Sequence, residues 1–205
     1  MKKQQVIIVQ TGLANLASVS AAIKRVGVSP KITADYHEIR NAKFLVLPGV
    51  GAFGAGMKEL QRLDLIPLIQ KRIKENYPTL AICLGFQLLC EESEESPGVK
   101  GLGVIPLKVK RFSSKKRVPH MGWNQVIPKE KDFLIKKGFA YFANSYQITE
   151  IPSGWKGAYS KYGSTFISGL EKGNILGCQF HPELSGDWGQ NLIKKWLTKG
   201  ETNAL

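Results

Sequence analysis

The chain has 205 residues, of which 43% are hydrophobic and 22% are charged, and its 29 basic and 16 acidic side chains leave a net charge of +13. These proportions are typical of a globular protein and, at this length, predict a single domain spanning residues 1–205. The sequence has neither an uncharged apolar run long enough to cross a membrane nor the apolar segment of a signal peptide, so we expect a cytoplasmic protein without a membrane partner.

The first half of the chain alternates short apolar runs with amphipathic patterns. The apolar runs are continuous, as in the strands of a parallel sheet that is covered on both faces. The patterns predict strands at Gln5–Val9, Phe44–Leu47 and Thr79–Ile82, and helices at Asn15–Gly27, at Met57–Glu75 with an interruption at Pro67, and from Phe86 to Glu92.

The second half has the pattern of short strands joined by glycine turns, which favours antiparallel pairing. It closes with an amphipathic helix at Gly189–Gly200. Together the two halves predict an α/β fold. We expect a single open, mostly parallel twisted sheet with helices on both faces, plus an antiparallel extension in the second half.

The positive charge is concentrated at Lys108–Arg117, KVKRFSSKKR. This segment is interpreted as a solvated loop or an edge strand whose lysines discourage sheet-edge pairing, as a docking face for an acidic partner, or as a nucleic-acid surface. The cations are not interleaved with aromatic residues and no nucleic-acid-binding module is recognisable. Nucleic acid is therefore the least expected of these partners.

Three loops that follow predicted strands carry the residues suited to catalysis. They are PGVGAFGAG (Pro48–Gly56), CLG (Cys83–Gly85) and HPE (His181–Glu183). Functional groups gather at the carboxyl ends of parallel strands, so these loops meet if their strands are neighbours.

Cys83 is the candidate nucleophile, because it lies where an apolar strand gives way to a helical pattern and Gly85 permits a tight turn. The beginning of the following helix would favour the thiolate. His181 is the candidate base, and Glu183 lies two residues later, on the same side of an extended chain, where its carboxylate can orient the imidazole. The glycines of Pro48–Gly51 can turn backbone N–H groups toward a developing oxyanion.

The cysteines and histidines also have simpler interpretations. A cysteine in an apolar stretch is usually a core residue. We assign Cys90 and Cys178 to the core, with Cys90 on the same helix face as Cys83. His37 is assigned to the surface, and His120 is a rival base without a nearby acidic residue. These residues have neither CxxC nor metal-ligand spacing, so we expect no disulfide, metal or cofactor.

The three loops resemble the motifs of the class I (triad) glutamine amidotransferases, a flavodoxin-like family. CLGFQ (Cys83–Gln87) is similar to the nucleophile motif, HPE (His181–Glu183) to the second motif and PGVG (Pro48–Gly51) to the oxyanion strand. Within the class, PHMGWN (Pro119–Asn124) resembles the glutaminase subunits of imidazole glycerol phosphate synthase. The resemblance extends over essentially the whole chain.

The resemblance implies that glutamine is hydrolysed to glutamate and ammonia through a thioester on Cys83, with His181 and Glu183 completing a triad. It also implies that ammonia passes to a separate (β/α)8-barrel cyclase subunit, which forms a heterodimer with this chain in histidine biosynthesis. The implied positions are Gly49, Val50 and Leu84 for the oxyanion hole, Gly51, Gln87, Glu95, Ser145 and Tyr146 for glutamine, and Asn15, Met121 and Trp123 for the barrel interface.

The chain departs from the family pattern at six positions. These are Gln10, Thr11 and Ala14 in the first loop, Ala81 in place of Gly, Asn144 in place of His and Leu184 in place of Lys. None is a triad member, but the first-loop residues and Leu184 fall where the family meets its barrel, so we hypothesise that docking relies more on other contacts. Two alternatives stay open: a paralogue that supplies ammonia to another synthase, and a catalytically degenerate basic binding protein.

Overall fold

The structure, a computed structural model, describes residues 4–12, 14–113 and 117–202. No helix in these ranges is long and apolar enough to cross a membrane. The strands are β1 (Gln5–Val9), β2 (Ser29–Thr33), β3 (Phe44–Leu47), β4 (Thr79–Ile82), β5 (Cys90–Ser93), β6 (Ile105–Arg111), β7 (His120–Pro128), β8 (Gly138–Asn144), β9 (Tyr146–Gln147), β10 (Lys156–Tyr162), β11 (Ser164–Lys172) and β12 (Ile175–Cys178). The helices are α1 (Leu16–Arg25), α2 (Tyr36–Arg40), α3 (Phe53–Arg62), α4 (Ile66–Lys74), α5 (Leu84–Leu88) and α6 (Gly186–Thr202), and a 3₁₀ turn spans Pro182–Leu184.

One mixed sheet organises the described residues, with its nine strands in the order β2-β1-β3-β4-β12-β11-β10-β7-β8. The pairs from β2 to β12 are parallel, whereas those from β12 to β8 are antiparallel. The predicted α/β fold, with an antiparallel extension in the second half, is confirmed. β12 comes late in the sequence but completes the parallel part of the sheet.

The parallel strands β1, β3, β4 and β12 are buried on both faces, to which successive residues point in turn, whereas the edge strand β2 is only partly covered. In β1, Val6 and Ile8 pack in one apolar cluster with α1 and α6, whereas Ile7 and Val9 pack in another with α3 and α4. Burial of each such side chain stabilises the fold by roughly 1.5–3 kcal/mol. Helices therefore cover both faces of the sheet, as predicted.

A small sheet, β5-β6-β9, holds much of the segment with concentrated positive charge. β6 is its central strand, so the interpretation as an edge strand is wrong. The exposed Lys108 forms an ion pair of 3.3 Å with Glu92. The backbone N–H of Arg111 donates to the carboxylate of Glu94 at 2.9 Å. Residues 114–116 of the charged segment lie outside the described residues.

The helical pattern at Met57–Glu75 belongs to two helices, α3 and α4, so the predicted interruption is present, but its position at Pro67 is wrong. The chain turns at Asp64, whose φ is +53°. Pro67 lies instead in the first turn of α4. A proline is tolerated there because the first N–H groups of a helix have no partner within the helix.

The predicted helix from Phe86 to Glu92 is also wrong in its extent. Helix α5 ends at Leu88, and the chain continues as β5 from Cys90. Cys90 is fully buried, as predicted for a core residue, but it lies on a strand and not on a helix face shared with Cys83.

The sequence pattern did not predict β2 and α2. Pro30 lies within β2, and a proline argues against a central strand because it cannot donate to the ladder. β2 is the edge strand next to β1, where that missing donor is tolerated.

Candidate active site

The three loops chosen from the sequence meet at one edge of the sheet. β4 pairs with β3 on one side and with β12 on the other, through Leu80↔Val46 and Leu80↔Leu176. All three strands run in the same direction, so the loops that follow them emerge side by side. This adjacency brings Cys83 and His181 into one site.

Cys83 lies on a sharp turn between β4 and α5. Its φ of +52° and ψ of −108° are rare for a residue with a side chain. Its backbone N–H donates to Cys178 O at 2.7 Å, which ties the turn to β12. Such a strained turn between strand and helix is the geometry that exposes a nucleophile above a sheet.

His181 and Glu183 form a buried pair beside Cys83. The Nδ1 of His181 lies 2.8 Å from Oε1 of Glu183, and both side chains are almost fully buried. Burial opposes a charge on the imidazole, but hydrogen bonds to Cys83 and Glu183 outweigh it and raise the pKa of His181 to about 10. Since Nδ1 faces Glu183, Nε2 is the nitrogen left for the sulfur.

A cavity of about 340 Å³ opens at Cys83. Besides Cys83, its walls include most of the residues that the resemblance assigns to glutamine and to the oxyanion: Val50, Gly51, Leu84, Gln87, Glu95, Ser145 and Tyr146. Ala52, Pro119, Ala143 and Asn144 complete the lining. Gly49, His181 and Glu183 lie outside the lining, so the histidine pair is not part of the cavity wall.

Two polar side chains of this lining are held by hydrogen bonds. The carboxylate of Glu95 accepts from the Phe53 N–H at 2.7 Å. The side-chain amide of Gln87 donates to Tyr146 O at 3.3 Å and to Gln179 Oε1 at 2.9 Å. Gln87 thereby keeps its own Oε1 as an acceptor for a bound molecule.

A carbonyl group of the glycine-rich loop occupies one of the predicted oxyanion donors. The N–H of Leu84 donates to Gly49 O at 3.2 Å. Val50 is 41% exposed, and Gly51 has a φ of +101°, in the region that favours glycine. A free oxyanion hole at Leu84 requires the carbonyl of Gly49 to turn away.

The three residues predicted to face a barrel partner are all exposed. Met121 and Trp123 are 65% and 58% exposed and point from the same face of β7. Asn15 is the N-cap of α1, where its side chain accepts from the Ser18 N–H at 3.2 Å. The departure at Leu184 lies on the 3₁₀ turn and is also exposed.

The departures at Ala81 and Asn144 are accommodated within regular strand pairing. Ala81 is fully buried and pairs with Leu47 on one side and Gly177 on the other. The amide of Asn144 donates to Tyr146 O at 2.9 Å, the same carbonyl that accepts from Gln87.

The rival residues occupy core positions. The ring of His120 stacks between Tyr162 and Phe142, with centroids at 4.2 and 5.0 Å, and burial lowers its pKa. Burial raises the pKa of the Cys90 and Cys178 thiols, which disfavours the nucleophilic thiolate. These residues fit the core interpretation.

Gln179 is the residue of the site that the sequence analysis missed. Its side-chain Nε2 lies 3.8 Å from the Cys83 sulfur, and the side chain is fully buried. The spacing of two residues that linked His181 to Glu183 also links Gln179 to His181, so the signal was present in the sequence.

Comparison with known proteins places this geometry in a family. The family model of glutamine amidotransferase class-I matches residues 8–199. The chain is 41% identical to imidazole glycerol phosphate synthase subunit HisH of Lactococcus lactis subsp. lactis (strain IL1403), over 96% of this chain and 98% of that one. It is 38% identical to the subunit of the same name from Aquifex aeolicus (strain VF5), over 95% and 97%.

Solved structures share the fold at lower identity. A crystal structure of a glutamine amidotransferase superposes with a TM-score of 0.77 at 19% identity, over 95% of this chain and 98% of that one. PurLQS from Thermotoga maritima has a TM-score of 0.74 at 17% identity, over 96% and 98%. With the fold, the triad geometry and the matches in agreement, the chain belongs to the class-I glutamine amidotransferases and, among them, to the family of imidazole glycerol phosphate synthase subunit HisH.

Proposed function

We propose that this chain is the glutaminase subunit of an imidazole glycerol phosphate synthase, in which it releases ammonia from glutamine at Cys83. The observation that carries the proposal is the meeting of Cys83, which lines the cavity, with the buried His181–Glu183 pair. Family membership supplies the reaction class, and the geometry supplies a role for each residue.

With its pKa raised to about 10, His181 already holds the proton of the Cys83–His181 pair at neutral pH, and the reaction begins with attack of the Cys83 thiolate on the side-chain carbonyl carbon of glutamine. The C–N bond of the tetrahedral intermediate then breaks, and His181 gives its proton to the leaving nitrogen, so that ammonia departs and a thioester remains. His181 next takes a proton from water, the hydroxide attacks the thioester, and glutamate leaves as the thiolate beside protonated His181 is restored. Glu183 holds Nδ1 throughout, which keeps Nε2 directed at the sulfur.

The cavity lining accounts for the recognition of glutamine. Glu95 supplies a negative charge for the substrate's α-ammonium group, and Gln87 supplies the free Oε1 that its own hydrogen bonds leave available. Gly51, Ser145 and Tyr146 form the remaining wall. We assign these five residues to substrate binding. We assign Val50 and Leu84 to the oxyanion hole, together with Gly49, which precedes Val50 in the loop after β3.

The glycine-rich loop Pro48–Gly51, here called the oxyanion loop, gives a reason to expect that the glutaminase stays inactive until the cyclase subunit docks. While the Leu84 N–H donates to Gly49 O, it cannot stabilise a tetrahedral oxyanion. Turning the Gly49 carbonyl away restores that donor, and one such donor is worth roughly 10²–10³ in rate. Docking of the barrel subunit is the event to which we assign this rearrangement.

The partner is a (β/α)8-barrel cyclase subunit that receives the ammonia, and Asn15, Met121 and Trp123 form the contact surface. The exposed side chains of Met121 and Trp123 give this surface the apolar and aromatic character of a protein interface. The chain acts as one domain, because a single sheet carries both apolar clusters. Its three free cysteines suit the reducing cytoplasm.

The Cys83→Ala variant tests the proposal. When the wild-type chain is co-expressed with the cyclase subunit in the presence of its nucleotide, it is expected to hydrolyse glutamine, whereas Cys83→Ala is expected to bind the partner without hydrolysis. Cys90→Ala, which removes a buried thiol on β5, is the matched control and should retain activity. Activity in Cys83→Ala, or none in the wild type under any partner condition, would overturn the assignment.

A further inference from the structure

The sulfur of Cys83 has a polar neighbour outside the triad. Nε2 of Gln179 lies 3.8 Å from Sγ, within the range of a hydrogen bond to sulfur. Gln179 is fully buried in the loop that joins β12 to His181, and its backbone N–H donates to Ser168 O at 2.9 Å. Its side chain is therefore held against the nucleophile from the side of the protein core.

The orientation of the Gln179 amide follows from its neighbours. The carbonyl of Tyr146 can only accept, so the Gln87 side chain must turn its NH₂ group toward it, at 3.3 Å. That same NH₂ group reaches Oε1 of Gln179 at 2.9 Å. Reversing the Gln179 amide would oppose two NH₂ groups, so its oxygen must face Gln87 and its nitrogen must face the sulfur.

A neutral N–H donor at this position distinguishes the two forms of the sulfur. The thiol can donate to Ala143 O, 4.0 Å away, but the thiolate cannot. A buried anion without donors is costly, and a hydrogen bond from an amide favours it over the neutral form. Because Gln179 carries no charge, its donation does not depend on the protonation of His181.

We propose that Gln179 is a catalytic residue that donates a hydrogen bond to the Cys83 sulfur, stabilises it as the thiolate and holds it beneath the cavity. Gln87 serves as the positioning residue that fixes the orientation of this donor. The inference rests on the proposed role of Cys83 as the nucleophile, and it adds a donor to the triad that is supplied by the core of the protein.

The Gln179→Met variant keeps the length of the side chain and removes the donor. The readout is the pH midpoint for alkylation of Cys83 by iodoacetamide, followed by mass spectrometry of its peptide, with Cys83→Ala as the blank. We expect the midpoint to rise by about one pH unit, which corresponds to about 1.4 kcal/mol. This is near the lower end of the energies of hydrogen bonds to charged groups, because the contact between Nε2 and Sγ is long. With the cyclase subunit present, kcat should fall roughly tenfold while KM changes less.

Gln147→Met is the matched control, since Gln147 is also buried and its Oε1 has no hydrogen-bond partner among the described residues. In this variant the pH midpoint for alkylation of Cys83 should stay within about 0.3 pH units of the wild-type midpoint. Should Gln179→Met fail to fold, the side-chain NH₂ resonance of Gln179 in the wild type is expected to titrate with the alkylation midpoint, and not to titrate in Cys83→Ala.

An unchanged midpoint in folded Gln179→Met, or a Gln179 resonance that ignores Cys83, would overturn the proposal. A lower kcat with an unchanged midpoint would also overturn the proposal, because the loss of activity would then come from altered packing and not from a lost hydrogen bond to the sulfur. Alkylation requires no glutaminase activity, so this result is independent of whether the proposed function holds.

Discussion

A Cβ atom built on Gly85 would stand 2.0 Å from the carbonyl oxygen of Leu47. The first turn of α5 therefore rests directly on the end of β3. Because the obstacle is backbone, Gly85→Ala can be accommodated only if α5 moves away and displaces the neighbouring Cys83. We expect a loss of about 3 kcal/mol of stability, the upper end for overpacking, a fall in Tm of roughly 6–12 °C, and loss of glutaminase activity with the partner present.

Gly54→Ala is the control for this change. A Cβ at Gly54 would lie 2.9 Å from Ser96 Oγ and 3.7 Å from a methyl group of Val99, both in side chains. Side chains can adjust, so the measured loss of Tm should be clearly smaller than for Gly85→Ala. Equal losses would mean that the contact with the Leu47 carbonyl is not what requires glycine.

Gly51 tests whether the oxyanion loop needs its unusual backbone. Its φ of +101° is strained for any other residue, yet no atom lies within 4 Å of a Cβ built there. We expect Gly51→Ala to reduce partner-stimulated kcat by roughly 5- to 150-fold, because a side chain disfavours by about 1–3 kcal/mol the positive φ that shapes this part of the cavity wall. Gly27→Ala is the matched control, since Gly27 has a φ of +86° and equally open surroundings but follows α1. Similar losses of activity in both would show a general effect on folding.

The fold could be predicted from the sequence where one pattern dominated. Continuous apolar runs such as Phe44–Leu47 are typical of strands buried on both faces, and both the strand and its burial are confirmed. The pattern failed where tertiary contacts decided the outcome. Cys90 continues an apparent helix in sequence, but its strand pairs with Ile105 of β6, a contact between distant residues that no local pattern reveals.

The proposed triad could be inferred from the sequence as a set of residue types but not as an arrangement. The sequence placed Cys83 and His181 after strands, whereas their proximity depends on β12 pairing with β4. That pairing crosses about half the chain and could be inferred only from the family resemblance. The two-residue spacing places Gln179 on the same side as His181, but it does not show what the amide does, because the role of an amide depends on the neighbours that fix its orientation.

Glu183→Gln separates the charge of the carboxylate from its geometry. The amide oxygen can still face His181 Nδ1, but the negative charge that helps to raise the pKa of His181 to about 10 is removed. We expect the pKa of His181, followed by NMR, to fall, and partner-stimulated kcat to drop by roughly 10². A variant with unchanged pKa would contradict the role given to Glu183.

The same substitution makes a prediction about stability. In the folded protein the pKa of His181 lies above its usual value of 6.5. The interaction of protonated His181 with Glu183 therefore stabilises the fold fully below pH 6.5. That contribution is lost as the pH rises through about 10. The difference in Tm between the wild type and Glu183→Gln should therefore be largest near pH 6 and shrink toward pH 10. A constant difference across this range would argue that packing, and not charge, stabilises the pair.

Trp123 is the residue of the proposed docking face whose loss should weaken the complex most. Trp123 is 58% exposed. Its ring lies edge-on to the ring of Tyr141 of β8, with the ring centroids 6.3 Å apart, so this neighbour orients the indole without burying it. Interface tryptophans often contribute 2 kcal/mol or more, so we expect Trp123→Ala to raise the Kd for the cyclase subunit by about 30-fold or more, while Tm changes little. Ile32→Ala is the control, because Ile32 is an exposed apolar residue on β2, at the opposite end of the sheet from β7. Calorimetric titration of both variants measures the effect, and equal affinities for the two would place the docking face elsewhere.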